Sequence, residues 1–316
     1  IYYLQELDNA SSYLAEALLN THKLSAGDRV LLVFFPGLDF TVSLLACFKA
    51  GLVGVPVFPP DPRKLKKDLH HFVNIQLSCG ATTVLSNSAY NFAKKVVDLK
   101  NIFSSEAARW PELKWISVDD VLKKGKSVDN SKSKAAVALP TITPDHIAFL
   151  QYTSGSTSDP KGVMISHENL AHNLTLIIRE LQADKTTVVV SWLPQYHDMG
   201  LIGTYLKSVY IGGSGYYMSP LGFLKDPLSW IRLTARVQAT YTEGPNFAFG
   251  LVLRKLREAK QAVRDEISQL DLSNISTLVS AAEPVDPKIL QEFLAKFAPN
   301  GLTYKCVNVS YGLAEN

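Results

Sequence analysis

The chain has 316 residues, 32 Lys+Arg against 29 Asp+Glu (net charge +3), 47% hydrophobic and 19% charged residues. This composition allows sizeable cores over about two domains' length and excludes a disordered, collagen-like or disulfide-stapled protein. The charge is too near balance for a nucleic-acid or membrane-surface binder, no apolar run reaches the ~18 residues of a membrane span, and Cys47, Cys79 and Cys306 are too scattered for a disulfide framework or zinc site.

In chain order, Leu4–Leu19 carries apolar residues at helical spacing, followed by a buried strand at Arg29–Phe35 (RVLLVFF). The alternation continues through a helix at Phe40–Ala50, a strand at Val53–Phe58, a helix at Lys64–Leu77 and a strand at Thr82–Leu85. Lys123–Lys134 (KKGKSVDNSKSK) lacks apolar period and reads as a solvated loop. Beyond it come a strand at Ile147–Tyr152, a helix at Leu170–Leu181, a strand at Val188–Leu193, a helix at Leu228–Val237 and a strand at Thr277–Ser280. Apolar strands alternating with helices predict an α/β fold with a mainly parallel sheet covered on both faces. The three scattered thiols suit a reducing, cytoplasmic setting. The chain opens at Ile1 rather than Met, as a piece of something longer would.

After the strand ending at Tyr152 stands Thr153-Ser154-Gly155-Ser156-Thr157-Ser158-Asp159-Pro160-Lys161-Gly162. Hydroxyl residues around a glycine form a poor strand or helix but a good concave loop, where backbone N–H groups and hydroxyls converge on an anion. Lys161 adds a mobile positive charge suited to phosphate. The order differs from the P-loop pattern GxxxxGK[ST]. A lone motif of this kind also fits a Ser/Thr-rich surface turn.

Tyr152–Gly162 closely resembles the phosphate-loop signature of the adenylate-forming superfamily, with Ser158 in place of the usual Gly, a variant similar to the fatty acyl-AMP ligase branch. Further segments resemble that branch in the same order: Lys49-Ala50-Gly51 through Pro59-Pro60, Trp192–Leu201 (WLPQYHDMGL), Glu243–Phe249 (EGPNFAF), Ala281–Val285 (AAEPV) and Tyr311–Glu315 (YGLAE). The resemblance implies two packed, mainly parallel sheets flanked by helices, in subdomains 1–185 (with phosphate loop 152–162) and 186–316 (with the acyl-pocket segments and the YGLAE turn). These subdomains are expected to exchange segments and to meet at a cleft.

It also implies a reaction: a fatty acid attacks the α-phosphate of ATP, giving acyl-adenylate and pyrophosphate, and the acyl group passes to acyl carrier protein or CoA. Thr153, Ser154, Gly155, Ser156, Thr157 and Lys161 would cradle the phosphates, and Glu315 would hold Mg2+. Ala282, Glu283 and Pro284 would wall the adenine opposite Tyr311 and Gly312. Val309 stands where many members carry Asn or Asp, which leaves Ser310 or a backbone carbonyl to meet the adenine amino group. His197 alone would suit a structural role; in its matched context it would lie near the reacting carboxylate and α-phosphate, with Asp198 bracing the turn. Met199, Gly200, Ile202, Gly244, Asn246 and Phe247 would line an apolar acyl slot. A long-chain acyl-CoA synthetase and a catalytically weak nucleotide- or lipid-binding module remain alternatives. The superfamily's ribose-binding Asp, hinge and C-terminal catalytic lysine are expected beyond Asn316, so residues 1–316 alone are expected to bind ATP but form acyl-AMP poorly.

Overall fold

The computed structural model describes residues 2–61, 65–101, 109–127, 138–153 and 160–313. The chain forms two compact units, Ile1–His172 and Asn173–Asn316, each built around one sheet with helices on its faces.

The first unit contains β1 (Arg29–Leu32), β2 (Val53–Pro56), β3 (Thr83–Ser86), β4 (Lys114–Ser117), β5 (Ile147–Tyr152) and β6 (Gly162–Ser166). Their order is β4-β3-β1-β2-β5-β6, parallel throughout except for the antiparallel β5–β6 pair. The central strands are apolar and buried because helices cover both faces. On one face Leu31, Val55 and Val84 pack with Phe72 and Ile75 of helix Leu65–Cys79 and with Trp110 and Trp115. Helices Leu4–Asn20 and Leu38–Ala50 are joined by Lys49, whose Nζ meets Asp8 Oδ1 at 2.6 Å and Ser12 Oγ at 2.8 Å.

The second unit contains β7 (Val188–Ser191), β8 (Ser214–Tyr217), β9 (Tyr241–Pro245), β10 (Thr277–Ala281) and β11 (Val307–Val309), all parallel in the order β11-β10-β9-β7-β8. Val190, Leu278, Trp230, Phe249, Phe293 and Phe297 build the core on one face. Within it the Trp230 indole donates to Thr242 Oγ1 at 2.7 Å, and that hydroxyl donates to the Val190 carbonyl at 2.8 Å. The opposite face carries Val189, Tyr241, Val279 and Ala281, with Leu181 and Met199 packed on them.

One sequence expectation is corrected. The stretch Lys123–Lys134 does not begin as a loop, because Val118–Ser127 is a helix. Asp119 and Asp120 favour its N-terminus, and Lys123 lies 3.6 Å from both carboxylates, so a polar helix is held by charge rather than by an apolar stripe. The remainder of that stretch lies outside the described residues.

Candidate active site

The C-terminal ends of β7, β9 and β10 gather the second unit's expected site residues, the position at which parallel α/β sheets place their chemistry. After β7 the chain turns through Trp192–Tyr196, the turn being closed by His197 N–H donating to the Pro194 carbonyl at 3.1 Å. His197 then caps the short helix Asp198–Gly200, which runs directly into a π-helix, Leu201–Leu206, and on into helix Lys207–Ile211. Only glycine fits at position 200, since a Cβ there would stand 2.4 Å from the Pro194 carbonyl oxygen. A π-turn is an uncommon device that re-aims side chains and recurs at functional sites.

His197 is half-exposed and its Nδ1 lies 2.7 Å from Asp198 Oδ1. That hydrogen bond, with the charges of Asp198 and Glu243, raises the His197 pKa above its ordinary value despite partial burial. Burial opposes ionisation of Asp198, but the His197 contact and the Met199 N–H, 2.6 Å away, outweigh it and lower its pKa. The pair is an imidazole oriented through Nδ1 by Asp198, whose carboxylate also accepts the Met199 N–H and so braces the turn.

Beyond β9 the chain enters helix Asn246–Glu258. Gly244 and Asn246 are buried, while Phe247 is partly exposed and lies edge-on to Trp192, with ring centroids 6.0 Å apart. Met199 and Gly200 of the short helix, Ile202 of the π-helix and Gly244, Asn246 and Phe247 of the β9 turn thus lie on segments packed together, Gly203 against Glu243 and Gly244 and Phe247 against Trp192, and the neighbourhood holds charge as well as apolar surface. Glu243 and Lys207 are both buried within it. Burial raises the Glu243 pKa to about 7 against the opposing influence of Lys207 and of the Tyr241 hydroxyl, and burial lowers the Lys207 pKa to about 7 against the influence of Glu243. Neither residue was legible as functional in the sequence. The available signal was a Glu and a Lys set within otherwise apolar or small runs, TEGPNF and LIGTYLKSVYIGG.

The loop after β10 begins with Ala282 in the left-handed region at φ +69°, a conformation uncommon for a residue with a side chain. Glu283 follows, its Oε1 accepting the Phe247 backbone N–H. The next strand is β11, and Ser310 N–H donates to the Ser280 carbonyl at 3.0 Å, so Ala282, Glu283 and Pro284 and the run Ser310, Tyr311 and Gly312 leave neighbouring parallel strands together. Tyr311 is 88% exposed, leaving its ring face open.

In the first unit, β5 and β6 form a hairpin in which Tyr152 pairs with Gly162 and Thr153 N–H donates to the Lys161 carbonyl at 3.2 Å. It presents Thr153 and an exposed Lys161 at the two ends of the expected phosphate loop. Ser154, Gly155, Ser156 and Thr157 lie outside the described residues, as does Glu315, the expected Mg2+ ligand. Among the described residues no group of three or more His, Cys, Asp or Glu side chains is arranged to hold a metal ion.

The AMP-binding enzyme family matches residues 4–316. The chain belongs to that family. Among AMP-binding relatives it is 34% identical over 311 residues to a medium-chain fatty acid–acyl-carrier-protein ligase from Moorena producens, covering 98% of this chain and 49% of the relative. It is 35% identical over 293 residues to a long-chain fatty acid–AMP ligase from Mycobacterium marinum, covering 92% of this chain and 43% of the relative. Among solved AMP-binding structures, it superposes with TM-score 0.82 and 33% identity on a fatty acyl-adenylate ligase from Legionella pneumophila in complex with acyl adenylate and pyrophosphate, covering 98% of this chain and 50% of that one. The chain therefore spans about half the length of the relatives it matches.

Proposed function

We propose that the protein activates a fatty acid with ATP, forming acyl-adenylate and pyrophosphate, and passes the acyl group to an acyl carrier protein. The observation that carries this reading is the convergence of His197, the β9 turn and the Ala282–Pro284 loop at the C-terminal ends of β7, β9 and β10, each in a segment that resembles the fatty acyl-AMP ligase branch. The fatty acid–acyl-carrier-protein ligase of Moorena producens and the fatty acid–AMP ligase of Mycobacterium marinum support the same chemistry.

In this mechanism the attacking carboxylate is already ionised and needs no base. The protein's task is to align carboxylate and α-phosphate and to stabilise the charge that develops. His197, held by Asp198, supplies a hydrogen bond at the reacting oxygens. Tyr311 stacks on adenine against the Ala282–Pro284 backbone, and Ser310 takes the contact that Val309 cannot make. Thr153, Ser154, Gly155, Ser156, Thr157 and Lys161 hold the departing pyrophosphate. Glu315 would hold Mg2+, which would offset the charge of the phosphates. Buried, unpaired Cys47, Cys79 and Cys306 support a reducing, cytoplasmic location.

Incubating the full-length protein with a fatty acid, ATP and either a phosphopantetheinylated carrier protein or CoA tests the reading. Acyl-adenylate and acyl-carrier product are expected. Efficient acyl-CoA formation would replace the carrier by CoA, and binding of nucleotide without any adenylate would favour the non-catalytic module.

A further inference from the structure

The helical stretch after His197 and β9 bring together polar groups, Lys207 and Glu243, to which the proposed adenylation gives no substrate contact. Along β9 the side chains alternate: Thr242 enters the core beside Trp230, while Tyr241 and Glu243 share the face on which Met199 packs. The Tyr241 hydroxyl donates to Glu243 Oε2 at 2.5 Å, and the Lys207 ammonium sits over the Tyr241 ring, 2.8 Å from its centroid. The Glu243 carboxylate occupies the space that Gly203 leaves open, since a Cβ at 203 would lie 3.0 and 3.1 Å from its two oxygens. Lys207 is 0% and Glu243 2% exposed, yet Lys207 Nζ and Glu243 Oε1 have no hydrogen-bond partner among the described residues. Among the described residues no ion pair joins them. Asn246, 5% exposed, adds an Oδ1 nearby in sequence that has no partner among the described residues.

Buried donors and acceptors are almost always satisfied, and a charged group left alone in the interior is strongly unfavourable. A plain alkyl chain in the proposed acyl slot, which Ile202 and Gly244 would line, would leave Nζ and Oε1 as they are. A hydroxyl on that chain would satisfy both, accepting from the ammonium and donating to the carboxylate. We infer that Lys207 and Glu243 are specificity residues that select a hydroxylated aliphatic carboxylic acid over its unsubstituted counterpart. The inference rests on the proposed adenylation reading and names its substrate class.

The test pairs unsubstituted fatty acids of graded length with their monohydroxylated counterparts, using the full-length protein. Adenylate formation and calorimetric binding of the free acids are both measured. A hydroxylated acid is expected to exceed its unsubstituted partner by about tenfold or more in kcat/KM, because a site built to hydrogen-bond a hydroxyl rejects the analogue lacking it. Lys207→Met, close to volume-conserving, should abolish the preference, and Glu243→Gln should reduce it. If Lys207→Met does not fold, the wild-type comparison and Glu243→Gln still decide. Adenylation of unsubstituted acids with equal or higher kcat/KM overturns the inference and leaves the adenylation reading intact. Tighter binding of the hydroxylated acid without adenylate formation overturns the adenylation reading and retains the selectivity.

Discussion

The Glu283 carboxylate accepts the backbone N–H of Phe247 at 2.5 Å, tying the loop after β10 to the first turn of helix Asn246–Glu258. A carboxylate here meets one of the donors a helix leaves unpaired at its N-terminus and faces the positive end of the helix dipole. The segment expected to wall the nucleotide and the segment expected to line the acyl slot are therefore held by one contact. Glu283→Ala should lower stability by about 1 kcal/mol, and Glu283→Gln, which keeps an acceptor, by less. Urea denaturation of both variants checks this; equal losses would mean that the retained acceptor contributes nothing and would overturn the expected order.

Ala282 adjoins that contact at φ +69°. A side chain in the left-handed region carries roughly 1–2 kcal/mol of strain, partly offset in an Ala-to-Gly change by the greater freedom of the unfolded chain. Ala282→Gly should therefore be neutral or stabilising by up to about 1 kcal/mol, whereas Ala282→Val should destabilise by more than that. Thermal melts of the two variants should move in different directions; a stable Val variant would sink the prediction.

Asp198 holds His197 protonated to a higher pH than an isolated imidazole would allow. With the folded pKa raised, the pair's stabilisation is fully present below the ordinary His value and is lost as pH rises through the folded one. In Asp198→Asn the His197 pKa should fall toward 6.5, its ordinary value, and imidazole resonances followed by NMR against pH would show it. An unmoved titration would mean that another group holds the ring.

Glu243 and Lys207 give a different pH signature. The Glu243 pKa rises from 4.5 to about 7 on folding, so its contribution is fully present below 4.5 and is lost as pH climbs to about 7. The Lys207 pKa falls from 10.5 to about 7, so the unfolded chain binds more protons between those values and stability recovers as pH rises. The pair should therefore stabilise least near neutrality. A Lys207→Met, Glu243→Gln double variant should gain most over the wild type near neutral pH and less toward acid and alkali, as expected when buried charges give way to neutral groups of similar volume. A stability difference that does not vary with pH would contradict this.

Lys161 stands exposed at the end of the β5–β6 hairpin. Under the proposed function, Lys161→Ala in the full-length protein should slow pyrophosphate exchange about tenfold to a hundredfold, the worth of one charge-assisted contact, without altering the melting temperature. An unchanged rate would remove Lys161 from the phosphate site.

The sequence by itself determined the α/β class and the main strands of both sheets. Runs such as RVLLVFF and Val188–Leu193 are short and apolar, with valines among them, and suit strands covered on two faces. It also carried the motif segments, since their residue types state their chemistry without reference to neighbours. It did not disclose β4, β8 and β11, short edge strands of mixed composition, nor β9, which has Glu243 at its centre. Only the tertiary structure decided that Glu243 fills the space beside Gly203, that Lys207 lies over Tyr241, and that Glu283 caps the helix beginning at Asn246. Those relationships join residues far apart in the chain. Apolar periodicity reports which face of one element is buried, whereas the partner of a buried charge is set by how separate elements pack.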